Sequence, residues 1–268
     1  MNDSAQYPIV VEDLRMTFGS REILRGVTLR VRQGEVYVLM GPSGCGKTTV
    51  LRCMVGLQRP TAGTVRLLGS NLVELDEDQL DQFRGQIGML FQFGALLNSV
   101  SVGDNVGLPL KERSKLDPAT IHAIVKLKLS MVGLEGTHRN MPSELSGGMK
   151  KRAGLARAMA LDPRLYFFDE PTSGLDPVTA AEFDELVATL KRALGMTAVV
   201  VTHDLDSAFR IADRIGVLFH GRLIAEGTPE EIRSLNDARI RSFVNREPRG
   251  GQANEQVWAK FFVEGNAT

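Results

Sequence analysis

An α/β fold is expected, with a mainly parallel sheet, helices on both faces and an inserted helical segment. Three observations predict it. Short apolar runs rich in β-branched and aromatic residues recur at 36–40, 87–91, 165–168 and 197–202, the pattern of strands buried on both faces. Segments with helical spacing separate them, as in chains of alternating strands and helices. Between Phe93 and about Ser143 strand signals fade and helical ones continue, so a helical insert interrupts the alternation. The 268 residues suffice for one large α/β domain with a sub-domain, or for two small domains.

Residues 9–17 and 22–32 read as strands, with Ile9, Val11 and Leu14 apolar in the first and Leu24, Val27, Leu29 and Val31 partly alternating in the second. The turn between them carries Phe18, which serves either to stack on a nucleotide base or to close the core at a strand end. A strand at 35–40 runs into a glycine-rich loop and then a helix to about Leu57. Pro60, Gly63 and Gly69 punctuate a short hairpin around 64–68, and a polar, acidic helix covers 76–85. The strand at 87–91 ends at Gln92.

In the insert, Asp117 is a suitable N-cap and Pro118 a suitable first residue for a helix through Val132. The insert closes at Pro142–Met149, and a helix follows to about Leu161, carrying Lys150, Lys151, Arg152 and Arg157 among small apolar residues. The strand at 165–168 ends in Asp169-Glu170. An amphipathic helix over 177–194 and the run Thr197–Thr202, fit for a central strand, come next, ending at His203-Asp204. A helix to about Asp213, strands at 214–219 and 223–226, and a helix capped by Thr228 with Pro229 complete the core.

Composition excludes several classes. Lys+Arg and Asp+Glu are equal at 32 each, so nothing suggests nucleic acid or an anionic surface as partner. No apolar run approaches the ~20 residues needed to span a bilayer, and the first fifteen residues do not form a signal peptide. A cytoplasmic location is expected, with any membrane part supplied by another chain. Cys45 and Cys53 both lie in the loop–helix element and are read as reduced, space-filling thiols; a redox role through a lowered pKa near the helix start is the alternative.

Chemistry gathers around Gly41-Pro42-Ser43-Gly44-Cys45-Gly46-Lys47-Thr48-Thr49. It fits G-x-x-x-x-G-K-[ST] with a strand before and a helix after, the context that motif requires. Its glycines let backbone N–H groups turn inward on a phosphate, and the helix N-terminus adds a positive dipole end. Lys47 can reach the β and γ oxygens of a nucleotide, and the Thr48 hydroxyl can ligate Mg²⁺. Asp169 can hold the metal's shell and Glu170 can take a proton from water, or the pair can cap the next turn. Gln92 can touch the metal or the water, and His203 the γ-phosphate. Leu145-Ser146-Gly147-Gly148-Met149 offers N–H groups and a hydroxyl at a second helix start, another anion site. Two anion sites in one chain imply two chains sharing one nucleotide.

With these motifs in this order, the chain resembles the ATP-binding-cassette (ABC) ATPases from residue 9 to about 235. Gly41–Thr48 matches their Walker A loop, Gln92 the Q-loop, Leu145–Met149 the signature, Leu165–Asp169 Walker B, and Ser173–Asp176 the D-loop. The resemblance makes Glu170 the catalytic glutamate, His203 the switch histidine and Phe18 the base-stacking aromatic. It implies a P-loop NTPase (RecA-like) core with an antiparallel β sub-domain: core at 1–92 and 162–235, helical sub-domain at 93–161, C-terminal extension at 236–268. It further implies ATP and Mg²⁺ as cofactors, with Thr48, Gln92 and Asp169 around the metal. In the implied head-to-tail dimer, Ser146, Gly147, Gly148 and Asp176 complete the nucleotide site.

Met149 departs from the glutamine usual in the family. Leu145–Arg152, Phe91–Leu97 and Asp104–Leu110 together resemble ATPases of MCE/Mla-type phospholipid transporters. That likeness implies a permease dimer, an MCE ring protein and a small STAS-domain subunit as partners. An importer ATPase for another solute and a non-transport ABC protein are the rival readings. Phe93, Leu96, Leu97 and Val100 form an apolar cluster beyond Gln92, either sub-domain core or a surface for the permease. Val257, Trp258, Phe261 and Phe262 share one face of a short helical turn after a glycine break, and are expected to dock on a neighbour or on the chain's own cassette.

Overall fold

The computed structural model describes residues 6–244; the tail cluster at 257–262 lies outside the described residues. The chain divides into two compact units, one ending at Ile232 and one beginning at Arg233. Within the first, strands fall into two sheets. β1 (Ile9–Phe18), β2 (Arg21–Val31), β4 (Ala62–Leu67) and β5 (Ser70–Asn71) form an antiparallel sheet in the order β2-β1-β4-β5. The larger sheet has the order β10-β9-β3-β8-β7-β6, from β3 (Val36–Met40), β6 (Ile87–Leu90), β7 (Leu165–Asp169), β8 (Thr197–Thr202), β9 (Arg214–Phe219) and β10 (Arg222–Gly227). Its neighbours run parallel except for the β9–β10 hairpin at the edge. The expected mainly parallel sheet and antiparallel sub-domain are both present.

Side chains alternate across a strand, and the alternation assigns the layers. Tyr37, Leu39, Leu165, Phe167, Val199 and Val201 join Val50, Leu51 and Met54 of α1 (Lys47–Met54) and the inner face of the antiparallel sheet in one core. The intervening Val36, Val38, Phe168, Ala198 and Val200 are buried on the opposite face, where α7 (Leu205–Ile211) packs against β3 and β8 and α6 (Pro177–Leu194) packs on α7. A strand covered on both sides has no polar face, hence the unbroken apolar runs.

The insert holds α3 (Val102–Arg113), α4 (Pro118–Met131) and two short 3₁₀ turns before α5 (Gly147–Ala158). Asp117 caps α4 by accepting from the Ala119 and Thr120 N–H groups, with Pro118 in the first turn, as its sequence predicts. Asp76 and Gln79 form a reciprocal capping box on α2 (Glu77–Arg84), and Thr228 and Glu231 cap each other at α8 (Pro229–Ser234). α3 runs through Pro109. Burial of Val102, Val106 and Leu110 on its inner side outweighs the broken turn. A last helix, α9 (Ala238–Val244), belongs to the second unit.

Candidate active site

Polar residues stand at the C-terminal ends of three parallel strands, Asp169 and Glu170 at β7, Thr202 and His203 at β8, and His220 at β9. The loop between β3 and α1 wraps tightly. A Cβ on Gly41 would lie 2.2 Å from the Leu218 carbonyl oxygen, so no larger residue fits. Gly46 holds a left-handed conformation (φ 110) at the α1 N-cap, which no side chain occupies, leaving the first N–H groups of α1 facing the loop. Lys47 is buried, and its Nζ closes the loop by donating to the Gly41 carbonyl at 2.7 Å and the Pro42 carbonyl at 3.3 Å.

Thr48 Oγ1 donates to Asp169 Oδ1 at 3.0 Å. Burial raises the Asp169 carboxyl above the usual carboxylate range, against the Thr48 hydrogen bond. A hydroxyl and a buried carboxylate side by side, beside a loop of inward N–H groups, fit an Mg²⁺ that also binds phosphate oxygens. Among the described residues no cluster of three His, Cys, Asp or Glu that could hold a metal exists.

Glu170 is the most constrained side chain of the site. Its φ is 47, left-handed and disfavoured for a residue with a Cβ. Its N–H donates to the Val201 carbonyl at 2.9 Å. Its Oε2 accepts from Thr202 Oγ1 and the His203 N–H, each at 3.3 Å, and lies 2.8 Å from His203 Nδ1. Its Oε1 is 4.0 Å from Lys47 Nζ. The strand ends of β7 and β8 thus bring Asp169, Glu170 and His203 together with the phosphate loop.

Gln92 lies two residues beyond the end of β6 rather than at the strand end, because the ladder with β7 stops at Leu90. Its Nε2 donates to Ser173 Oγ at 3.3 Å, so it stands on the D-loop side of the site. Phe18 ends β1 and is 49% exposed, free of the core it was offered as closing. A cavity of about 420 Å³ opens beside the following turn, lined by Ser20, Arg21, Gly44, Cys45 and His220. Burial pushes the Cys53 thiol up to about 12, which answers the redox alternative for that cysteine in favour of an inert, space-filling thiol.

The second helix start is open. Ser146 caps α5, its Oγ accepting from the Met149 N–H at 3.2 Å, and Ser146 and Gly147 are exposed. Asp176 caps α6, accepting from Val178 N–H and Thr179 N–H at 3.1 Å each, and the Thr179 hydroxyl holds its carboxyl below the usual range. Within one chain its role is therefore to start a helix.

Three features escaped the sequence. Lys151 of α5 is buried, and its Nζ donates to the carbonyls of Gln92 and Glu170; it was visible only as one basic residue among several in that helix. Thr202 supports Glu170 from the last position of β8. A groove of about 390 Å³, lined by Met89, Phe91, Leu108, Pro109 and Arg157 among others, opens between β6 and the insert. Phe93 is 84% and Leu97 47% exposed, so these two are surface, and the sub-domain-core alternative does not hold for them.

Comparisons with known proteins address the family of the chain. The ABC transporter family model matches residues 24–173. The chain is similar to the intermembrane phospholipid transport system ATP-binding protein MlaF of Escherichia coli, 40% identical and covering 91% of both chains. It is also similar to a probable ribonucleotide transport ATP-binding protein of Mycobacterium tuberculosis, 41% identical over 88% of this chain; there it spans only 66% of the relative's length. Among solved structures it is similar to a dimeric ATP-binding cassette in a post-hydrolysis state bound to ADP and Pi, with a TM-score of 0.76 and 32% identity, covering 82% of this chain and 98% of that one.

Proposed function

The chain belongs to the ABC transporter family of ATPases, and from that premise we propose that it hydrolyses ATP to drive phospholipid movement between inner and outer membranes, maintaining outer-membrane lipid asymmetry. The observation that carries the substrate class is the similarity to MlaF along nearly the full length of both chains. The proposed assembly is a head-to-tail pair of this chain beneath a MlaE-like permease dimer, with a MlaD-like MCE protein and a MlaB-like STAS-domain subunit. It would sit on the cytoplasmic face of the inner membrane. Among the described residues no helix is long and apolar enough to cross a membrane; the attachment proposed is through the permease. The groove between β6 and the insert, lined by Phe91, together with the exposed Phe93 and Leu97 of the insert, offers the apolar contact.

In the proposed reaction the N–H groups of Gly44 to Thr49 cradle the phosphates and Phe18 stacks on the base. Lys47 exchanges its carbonyl partners for β and γ oxygens, a stronger charge-assisted pairing. Thr48, Asp169 and Gln92 would hold Mg²⁺, which supplies charge neutralisation on the phosphates when bound. Glu170, fixed by Thr202 and His203, accepts the proton of the attacking water. His203 turns from Glu170 to the γ-phosphate, and Ser146, Gly147 and Gly148 of a second copy close the site, with its Asp176 alongside.

Co-purification after mild detergent extraction, followed by reconstitution with labelled phospholipid, tests this. ATP-dependent lipid transfer by an extracted complex with a permease supports the proposal. A complex that moves only a small solute, or a chain that extracts without any membrane partner, contradicts it in favour of an importer or a non-transport ATPase.

A further inference from the structure

Lys151 has no part in the roles above, yet it touches two of the residues that do. It lies in α5, five residues beyond the capping Ser146. Its ammonium donates to the main-chain carbonyls of Glu170, at 3.1 Å, and of Gln92. Those carbonyls occupy equivalent places. Leu90 of β6 pairs with Phe168 of β7, and Gln92 and Glu170 each follow two residues later. The strand ladder has stopped by then, so sheet pairing no longer fixes one exit against the other. Lys151 bridges them instead.

The Glu170 exit is the one that needs holding. Its left-handed backbone persists only where the surroundings determine it. On one side its N–H is bound to the Val201 carbonyl at 2.9 Å; on the other its carbonyl accepts from Ser173 N–H at 3.2 Å and from Lys151. Further along α5, Arg157 donates to the Gly94 carbonyl at 2.9 Å and the Ala95 carbonyl at 2.7 Å. One helix therefore holds the loop after β6 at three carbonyls and the catalytic-glutamate peptide at one. The same helix begins with the signature turn.

We propose that Lys151 is a positioning residue: it ties the main chain of Glu170 and Gln92 to the helix headed by Ser146, so that engagement of the signature turn by a second copy's nucleotide sets the aim of Glu170. This rests on the reading of Glu170 as general base and of the signature turn as the far wall of the shared site. A helix is stiff over the turn and a half separating Ser146 from Lys151, and a lysine supplies the compact, multi-donor head that two carbonyls require.

The test measures ATP binding and single-turnover hydrolysis by the full-length chain in the detergent-extracted complex, with Lys151→Met and Lys151→Arg. Methionine keeps the length and removes the donors; arginine returns them. Lys151→Met is expected to fold and to bind ATP within about threefold of wild type while losing turnover on the order of 10–100-fold, the scale of a small misplacement of a catalytic group. Lys151→Arg should recover most of that loss. Glu170→Gln is run beside them, and wild-type turnover in that variant would sink the underlying reading rather than the role of Lys151 alone. With Glu170→Gln inactive, the positioning role is overturned if Lys151→Met is silent, if it unfolds or loses binding together with turnover, or if arginine does not rescue it.

Discussion

The two helix starts proposed to face phosphate are built to different degrees of completion. At α1, the loop is closed by Lys47 on its own carbonyls, Thr48 and Asp169 are already paired, and Glu170 is held through both main chain and side chain. At α5, Ser146 and Gly147 are exposed, and the Ser146 hydroxyl oxygen accepts only a helix-capping bond from Met149. The first half-site is assembled within one chain; the second leaves Ser146 and Gly147 exposed. In the proposed mechanism hydrolysis needs the first half of one copy and the second half of another, while binding needs only the first.

Perturbing each half separates those statements. Glu170→Gln removes the proton acceptor while leaving the phosphate loop intact. Turnover should fall on the order of 10²-fold or more with ATP still bound, read by steady-state hydrolysis and equilibrium binding; wild-type turnover would show that another group is the base. Ser146→Arg places bulk and charge on the open half. It should stop turnover while single-copy ATP binding stays near wild type, and a loss of binding would mean the halves are not separable. Leu97→Glu, on the exposed surface of the insert, should detach the chain from its membrane complex in pull-downs without changing ATP binding; an unfolded variant would make Leu97 structural. The smallest effect belongs to Met149→Gln. That side chain is half-buried and its N–H is what the cap uses, so hydrolysis should change by less than about threefold, since the backbone donors are unaltered. An inactive but folded variant would give the methionine a task of its own.

How much of this the chain discloses before folding follows the range of each interaction. α6 is legible with both its ends, because its amphipathic spacing runs from Pro177 to Leu194. The β-branched run of β8 was read likewise. The strand-end residues Asp169, Glu170 and His203 were identifiable once their strands were, since a strand's end is a local property. Lys151 was not, because its two partners are 59 and 19 residues away and meet only where β6 and β7 lie side by side. Asp176 shows the converse: motif matching assigned it to the nucleotide, while its nearest donors are those of its own helix. The groove beside the insert arises from packing between distant segments, and no local signal announces it.

The division of one site between two copies is tested most directly by mixing two inactive variants. Glu170→Gln is broken only in the first half, Ser146→Arg only in the second. In a symmetric pair built head to tail, a mixed dimer carries one doubly broken site and one intact site. Co-expressed in equal amounts, the two should regain hydrolysis above the sum of their separate activities and up to about a quarter of wild type, as random pairing makes half the dimers mixed with one of two sites whole; the tie through Lys151 lowers that figure, because the whole site's Glu170 belongs to the copy whose signature turn is blocked. A mixture no more active than the sum of its separate components would place each site within a single chain and contradict the account.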